Sequence, residues 1–111
     1  MKYGEIWYIN FLESIGHEQG KDRPALIVQS DQQLKITNII TVIPLTSNIK
    51  NKHNDDIIII KDDTNNLFYD SALKVHHIKS FDESRFIKRI GAVEVRVLEE
   101  VKAYLKKHFS L

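Results

Sequence analysis

Between residues 16 and 30 the chain reads Gly16-His-Glu-Gln-Gly-Lys-Asp-Arg-Pro-Ala-Leu-Ile-Val-Gln-Ser30, a crowd of polar and charged groups that runs straight into an apolar segment. Two glycines in five residues break any regular period, so Leu12 to Asp22 reads as an exposed loop. Pro24 to Ser30 then resumes as a strand whose side chains are apolar on both sides, the pattern of a strand covered on both faces. The chain therefore presents chemistry-bearing groups at the mouth of a buried strand. Working outward, "EIWYINF" before it mixes aromatic and β-branched residues and suits a second strand, with Ile6, Tyr8 and Asn10 on one face and Trp7, Ile9 and Phe11 on the other.

After it, "DQQLKITN" has room for one short helical turn. "IITVIPLT" reads as a third strand whose Pro44 cannot donate to a ladder, which predicts an edge or a bulge just before Thr46. "SNIKNKHNDD" is a polar loop, "IIIIK" a fourth strand, and "DDTNN" supplies turn chemistry. From Ser71 the alternation of Leu73 and Val75 slips at His76 and His77, which predicts a bulge there. Near the end, Val97, Leu98, Val101, Tyr104 and Leu105 form one apolar stripe at helical spacing, with Lys106, Lys107 and His108 placed to suit the negative end of the helix dipole. Strand after strand with short turns and one closing helix predicts a mainly β protein, a small barrel capped by a C-terminal helix.

Composition narrows the function classes. At 111 residues and 42% hydrophobic content the chain suits one domain, 1–111. Sixteen basic residues against 15 acidic ones leave a net charge of +1, so an anionic partner must be held by local placement. There is no cysteine, which removes disulfides, zinc-thiolate centres and thiol nucleophiles together. Neither a signal peptide nor a membrane span is expected, since the start carries Glu5 and the longest aliphatic run is Ile57 to Ile60. The expected location is the cytoplasm.

The polar positions offer the parts for cutting RNA without a metal. Such a reaction needs a base for the 2′-hydroxyl proton, cations for the charged phosphorane and an acid for the leaving oxygen. His17 and Glu18 are candidate proton acceptors on the first loop. Arg23 is a candidate phosphate clamp, planar and permanently charged, with its backbone restrained by Pro24. The Thr46 hydroxyl can hold a phosphoryl oxygen, although it can equally be satisfied by nearby backbone. Lys74 to Arg89 holds five basic residues and two acidic ones, a local +3. Phe68 and Tyr69 can stack on bases or belong to the core. Neighbours on a strand point to opposite faces, so the His76-His77 pair is not expected to chelate one ion, and neither metal nor cofactor is expected.

Taken together, "GEIWYINF", "GHEQGKDRPALIVQSD", "VIPLTSN", "DSALKVHHIKSFDESRFIKRIG" and the terminal helix resemble the MazF/PemK/Kid family of toxin endoribonucleases. The resemblance implies a homodimeric SH3-like β-barrel of the PemK/CcdB type. It implies metal-free cleavage of single-stranded messenger RNA to 2′,3′-cyclic phosphate and 5′-hydroxyl ends, and neutralisation by a cognate antitoxin. By matching positions it gives Arg23 and Thr46 as catalytic, with Glu18, His17 and His76 as the residues that handle protons. His76-His77 stands where many members carry an acidic residue followed by glutamine, and Lys74 where Kid-like members carry arginine. Gln19, Lys21, Asn48, Lys74, His77 and Lys79 are the expected RNA-contacting residues. The competing reading is a non-catalytic module on the same barrel, either a CcdB-like gyrase inhibitor or a relic that only binds antitoxin.

Overall fold

The structure, a computed structural model, describes residues 1–11 and 22–111. Of the expected loop from Leu12 to Asp22, residues 12–21, with His17, Glu18, Gln19 and Lys21, lie outside the described residues, while Asp22 opens a strand. In chain order the elements are β1 (Glu5–Asn10), β2 (Asp22–Ile27), a helical turn α1 (Asp31–Leu34), β3 (Ile39–Thr46), β4 (Ile57–Ile59), β5 (Ser71–Leu73), a 3-10 turn (Val75–His77), β6 (Lys79–Asp82), a second 3-10 turn (Glu83–Arg85), β7 (Phe86–Ala92) and α2 (Val95–Phe109). Among the described residues, seven antiparallel strands form one sheet in the order β4-β5-β3-β2-β1-β7, with β6 also paired to β3. The expected mainly β architecture with a closing helix is the one observed.

Strands apolar on both faces require two cores, and the sheet has two. Ile6, Leu26, Ile43, Leu45, Leu73 and Val75 pack with Val97, Val101 and Tyr104 of α2. Ile9, Phe11, Ala25, Ile27, Ile40, Val42 and Phe81 form the second cluster, against which Trp7, Leu34 and Phe86 rest. Leu26 thus faces one cluster and its neighbours Ala25 and Ile27 the other, as the period of two dictates. Ile6 and Ile9 divide in the same way, matching the two faces expected for this strand. Truncating a fully buried isoleucine or leucine of either cluster, such as Ile9 or Leu26, to alanine would cost about 2–5 kcal/mol. The α2 stripe is as expected, with Val97, Val101 and Tyr104 buried and Leu98 and Leu105 packed against the same cluster.

Two expectations are corrected. Pro44 lies in the middle of the sheet, neither at an edge nor in a bulge. It pairs with Ala25 of β2 on one side, and its carbonyl accepts the Lys74 N–H at 2.9 Å on the other. On that second side β3 changes partner, from β6 along Ile39 to Val42 to β5 along Leu45 and Thr46. The donor that proline lacks therefore falls where one neighbour gives way to the next, so no ladder bond is lost. The slip at His76 and His77 is a full 3-10 turn between β5 and β6, closed by the His77 N–H to the Lys74 carbonyl at 2.8 Å. A bulge and a short 3-10 turn both shift the alternation of side chains, which is why the pattern alone did not separate them.

The "DDTNN" turn behaves as its chemistry requires. Asn65 is buried, and its side-chain oxygen accepts the Asp62 and Leu67 N–H groups at 3.0 Å each. Asn66 takes a positive φ of 54° and donates through its side chain to the Ile90 carbonyl at 2.9 Å. The turn lies so close to β7 that a Cβ built on Gly91 would stand 2.5 Å from the carbonyl oxygens of Thr64 and Asn65. Among the described residues no helix is long and apolar enough to cross a membrane.

Candidate active site

Antiparallel register brings together two residues that lie far apart in sequence. β2 and β3 pair Ile27 with Val42, Leu26 with Ile43 and Ala25 with Pro44. Two residues past that last pair on each strand, beyond the end of the ladder, come Arg23 and Thr46, at the same end of the sheet. Both then share the sheet face of Ala25, Ile27 and Val42. Lys79 of β6 pairs with Val42 and joins the same face.

The cations converge on an aromatic floor. The Arg23 guanidinium carbon is 6.0 Å, and the Lys79 ammonium 5.9 Å, from the centre of the Phe11 ring. Phe11 is buried and meets Phe81 edge-on with ring centres 4.9 Å apart, while Arg85 stands 5.4 Å from the Phe81 ring. The negative faces of these rings hold positive charge at the sheet surface, at about 0.5–1 kcal/mol for exposed pairs. Phe11 was read from the sequence only as a strand residue, and nothing in its neighbours signals this role.

The Thr46 oxygen accepts the Asn48 N–H at 3.1 Å, a local turn that fixes the start of the following loop. The hydroxyl proton is not used in that bond and remains able to donate to a phosphoryl oxygen. Thr46 is half-buried and pairs with Ala72 of β5, which leads two residues on to Lys74. The Lys74 ammonium donates to Asp56 at 2.7 Å, and the same Asp56 oxygen accepts the His53 N–H at 2.9 Å. Burial raises the Asp56 carboxyl, but the Lys74 hydrogen bond, the His53 N–H and the Lys74 charge outweigh it and leave it below the ordinary carboxylate value. Asp56 was not singled out in the sequence, where it reads as one more polar loop residue.

The two adjacent histidines have different surroundings. Partial burial, then the charges of Lys74 and Lys79, hold His77 below the usual histidine value. His76 turns toward the helix, with its Nε2 3.0 Å from Asp55 Oδ2 and its ring 5.5 Å from that of Tyr104. His53 stacks edge-on to His76 at 4.1 Å, and Lys107 of α2 donates to the other Asp55 oxygen at 3.0 Å. The Lys107 hydrogen bond, followed by that of His76, lowers the Asp55 carboxyl. Farther along α2, the Tyr104 hydroxyl lies 2.9 Å from His108 Nδ1.

A groove of about 240 Å³ adjoins the Arg23 and Thr46 end of the sheet, lined in part by Tyr8, Pro24, Ser47, Phe68 and Tyr69. Phe68 and Tyr69 are exposed, which resolves the choice between core and surface for both. Strand alternation turns Pro24 and Leu45 of the groove to the sheet face opposite Arg23 and Thr46, so the aromatic wall lies behind the cationic face, at the same end of the sheet. Among the described residues, then, Arg23, Thr46 and Lys79 share one face and Lys74 meets His77 beside it, while His76 faces α2. Asn48 is exposed, and its backbone N–H is held by Thr46.

Comparison with known proteins gives this arrangement a context. The chain is 29% identical to the endoribonuclease MazF9 of Mycobacterium tuberculosis over 116 residues, which span 100% of this chain and 98% of that relative. Its fold superposes on the crystal structure of MazF from Deinococcus radiodurans with a TM-score of 0.82 at 25% identity, covering 100% of this chain and 97% of that one. A MazE-MazF structure from the same organism superposes with a TM-score of 0.77 at 25% identity, covering 100% and 96%. The family of PemK-like, MazF-like toxins of type II toxin-antitoxin systems matches residues 2–109, from ahead of β1 to the last turn of α2. With sheet, helix and the strands that carry Arg23 and Thr46 all inside that match, the chain belongs to the PemK-like, MazF-like toxin family.

Proposed function

We propose that this protein is an endoribonuclease toxin that cuts single-stranded messenger RNA without a metal. The observation that supports this reading is the β2–β3 register, which carries Arg23 and Thr46 to the same end of the sheet, on the face that also bears Lys79. A phosphodiester laid there would meet a guanidinium, a hydroxyl donor and an ammonium. All three hydrogen-bond most strongly when the phosphorane carries its extra charge.

In the reaction a base removes the 2′-hydroxyl proton, the 2′-oxygen attacks phosphorus, and the 5′-oxygen leaves with a proton supplied by an acid. The products are a 2′,3′-cyclic phosphate and a 5′-hydroxyl end. His76, whose Nε2 lies 3.0 Å from the Asp55 carboxylate and whose ring faces α2, would serve as a proton carrier by swinging with its 3-10 turn toward the phosphate. His17 and Glu18 complete the set of proton-handling residues. Lys74, Lys79, His77, Asn48, Gln19 and Lys21 contact the RNA. Phe68 and Tyr69 offer their exposed rings to unstacked bases. The protein acts in the cytoplasm as a homodimer and is neutralised by an antitoxin, as the MazE-MazF assembly of the Deinococcus relative suggests.

The test is incubation of purified protein with single-stranded RNA in EDTA, followed by mapping of the new ends. Cleavage leaving 2′,3′-cyclic phosphates supports the reading, and intact RNA beside an active relative sinks it. The gyrase-inhibitor alternative is not favoured, because the relatives that match along the chain are endoribonucleases.

A further inference from the structure

We propose that His53, Asp55 and His76 form a binding site for a divalent first-row transition-metal ion such as zinc, and that the bound ion inhibits the protein. The three side chains come from two segments, the loop after β3 and the 3-10 turn after β5, and their ligand atoms all lie within 4.8 Å of one another. Asp55 Oδ2 is 3.0 Å from His76 Nε2 and 3.8 Å from His53 Nδ1. Ligand atoms around a tetrahedral zinc, with bonds of about 2.0–2.1 Å, stand about 3.3 Å apart, so both separations bracket the required spacing. His53 has to draw closer to Asp55, from 3.8 Å, while all three ligand atoms already lie within 4.8 Å of one another. At 54%, 29% and 37% exposure the side chains of His53, Asp55 and His76 leave a path for the ion and room to adjust.

The surroundings favour one metal class and one binding mode. Two imidazoles and a carboxylate suit zinc, nickel or copper, whereas magnesium and calcium require more oxygen ligands. Lys107 occupies Asp55 Oδ1 and leaves Oδ2 toward the histidines, an outer contact that orients the ligating oxygen. The Asp55 N–H donates to His53 Nδ1 at 3.1 Å, and this is the bond the ion displaces. The site is distinct from the Arg23, Thr46 and Lys79 face. It shares one residue with the proposed chemistry, since coordination occupies the ring nitrogen of His76 that faces Asp55 and ties the 3-10 turn to the loop. Metal is therefore an inhibitor of this protein and no cofactor. The inhibitory half of this inference rests on the ribonuclease reading, and the binding half does not.

Isothermal titration of the full chain, carrying no histidine tag, with zinc chloride tests the site. Wild type is expected to take up one ion per chain, His108→Gln to do the same, and His53→Ala and His76→Gln to lose uptake while keeping the wild-type circular dichroism spectrum. No saturable uptake by wild type, or uptake by both cluster variants equal to wild type, overturns the site. In a parallel cleavage assay, saturating zinc should slow wild type at least tenfold, EDTA should restore it, and His53→Ala should cleave at the same rate with and without zinc. Equal zinc inhibition of His53→Ala and wild type overturns the inhibitory link. Zinc uptake by a protein that cuts no RNA would leave the site standing and defeat the ribonuclease reading instead.

Discussion

Lys74 and Asp56 are joined by a 2.7 Å hydrogen bond whose carboxylate end is buried, with Asp56 presenting 1% of its side chain to solvent and Lys74 presenting 23%. A carboxylate so enclosed stays ionised because the ammonium and the His53 N–H face it. The pair ties the loop after β3 to the end of β5. Replacing Asp56 with Asn removes the charge and leaves Lys74 without its counter-ion, and should lower unfolding stability by about 1–3 kcal/mol. Urea denaturation checks this, and a midpoint equal to wild type would show the pair to be energetically idle.

Arg23→Ala should reduce RNA cleavage by about 100- to 1,000-fold, the loss typical of one preorganised donor to a developing oxyanion. Arg23→Lys should recover part of the rate, since it keeps the charge and loses the planar fork. Single-turnover cleavage rates separate these outcomes. A rate for Arg23→Ala within twofold of wild type would remove Arg23 from the chemistry.

Gly91 is the place where β7 and the Asp62 to Asn66 turn come closest. Gly91→Ala forces a methyl group against two backbone carbonyl oxygens 2.5 Å away, atoms that no side-chain rotation can move aside. The expected cost is about 1–3 kcal/mol, with an unchanged dependence on denaturant concentration. Full wild-type stability would mean that the turn can lift from the strand without loss.

Glu5 gives a pH dependence whose sign can be worked out. Burial raises its carboxyl, but hydrogen bonds from Trp7 and Arg89, the Lys2 N–H and the Arg89 charge prevail and hold it below its ordinary value of 4.5. A carboxyl whose pKa is lower in the folded state contributes stability that is fully present above the unfolded value and fades as pH falls through the folded one. Wild type should therefore lose stability on acidification below about pH 4.5, and Glu5→Gln should lose less over that interval. Thermal melts across the acid range measure the difference, and parallel curves would exclude Glu5 as a contributor.

Much of the fold is local and was legible for that reason. The two-faced strands around Ile6 and Leu26, the turn at Asp62 to Asn66 and the stripe from Val97 to Leu105 each follow from residues within one element. Pro44 misled because the rule against interior prolines treats a strand as having one neighbour on each side, whereas β3 has two on one side in succession. Arg23 and Thr46 stood out as candidates by side-chain chemistry and by family resemblance but not by spacing, because the 22 positions between them are folded back only by the β2–β3 register. Phe11 as a floor for cations, and Asp55 and Asp56 as partners for His76 and Lys74, depend on contacts between distant segments that no local pattern encodes. His76 invited comparison with His77 beside it, while its structural companions are His53 and Asp55.

The change of partner at Pro44 has a consequence for how the molecule opens. β3 is flanked by β2, β5 and β6, so its amides are released only when the whole sheet comes apart, and they should be among the slowest to exchange with deuterium. The Val75 to His77 turn is closed by the single bond from His77 to Lys74 and should exchange far sooner through local fluctuation. Thr46 thus ends the most permanent strand of the fold, while His76 rides on a segment that can breathe without unfolding it. The proposed phosphate grip is built to stay, and the proposed proton carrier is built to move.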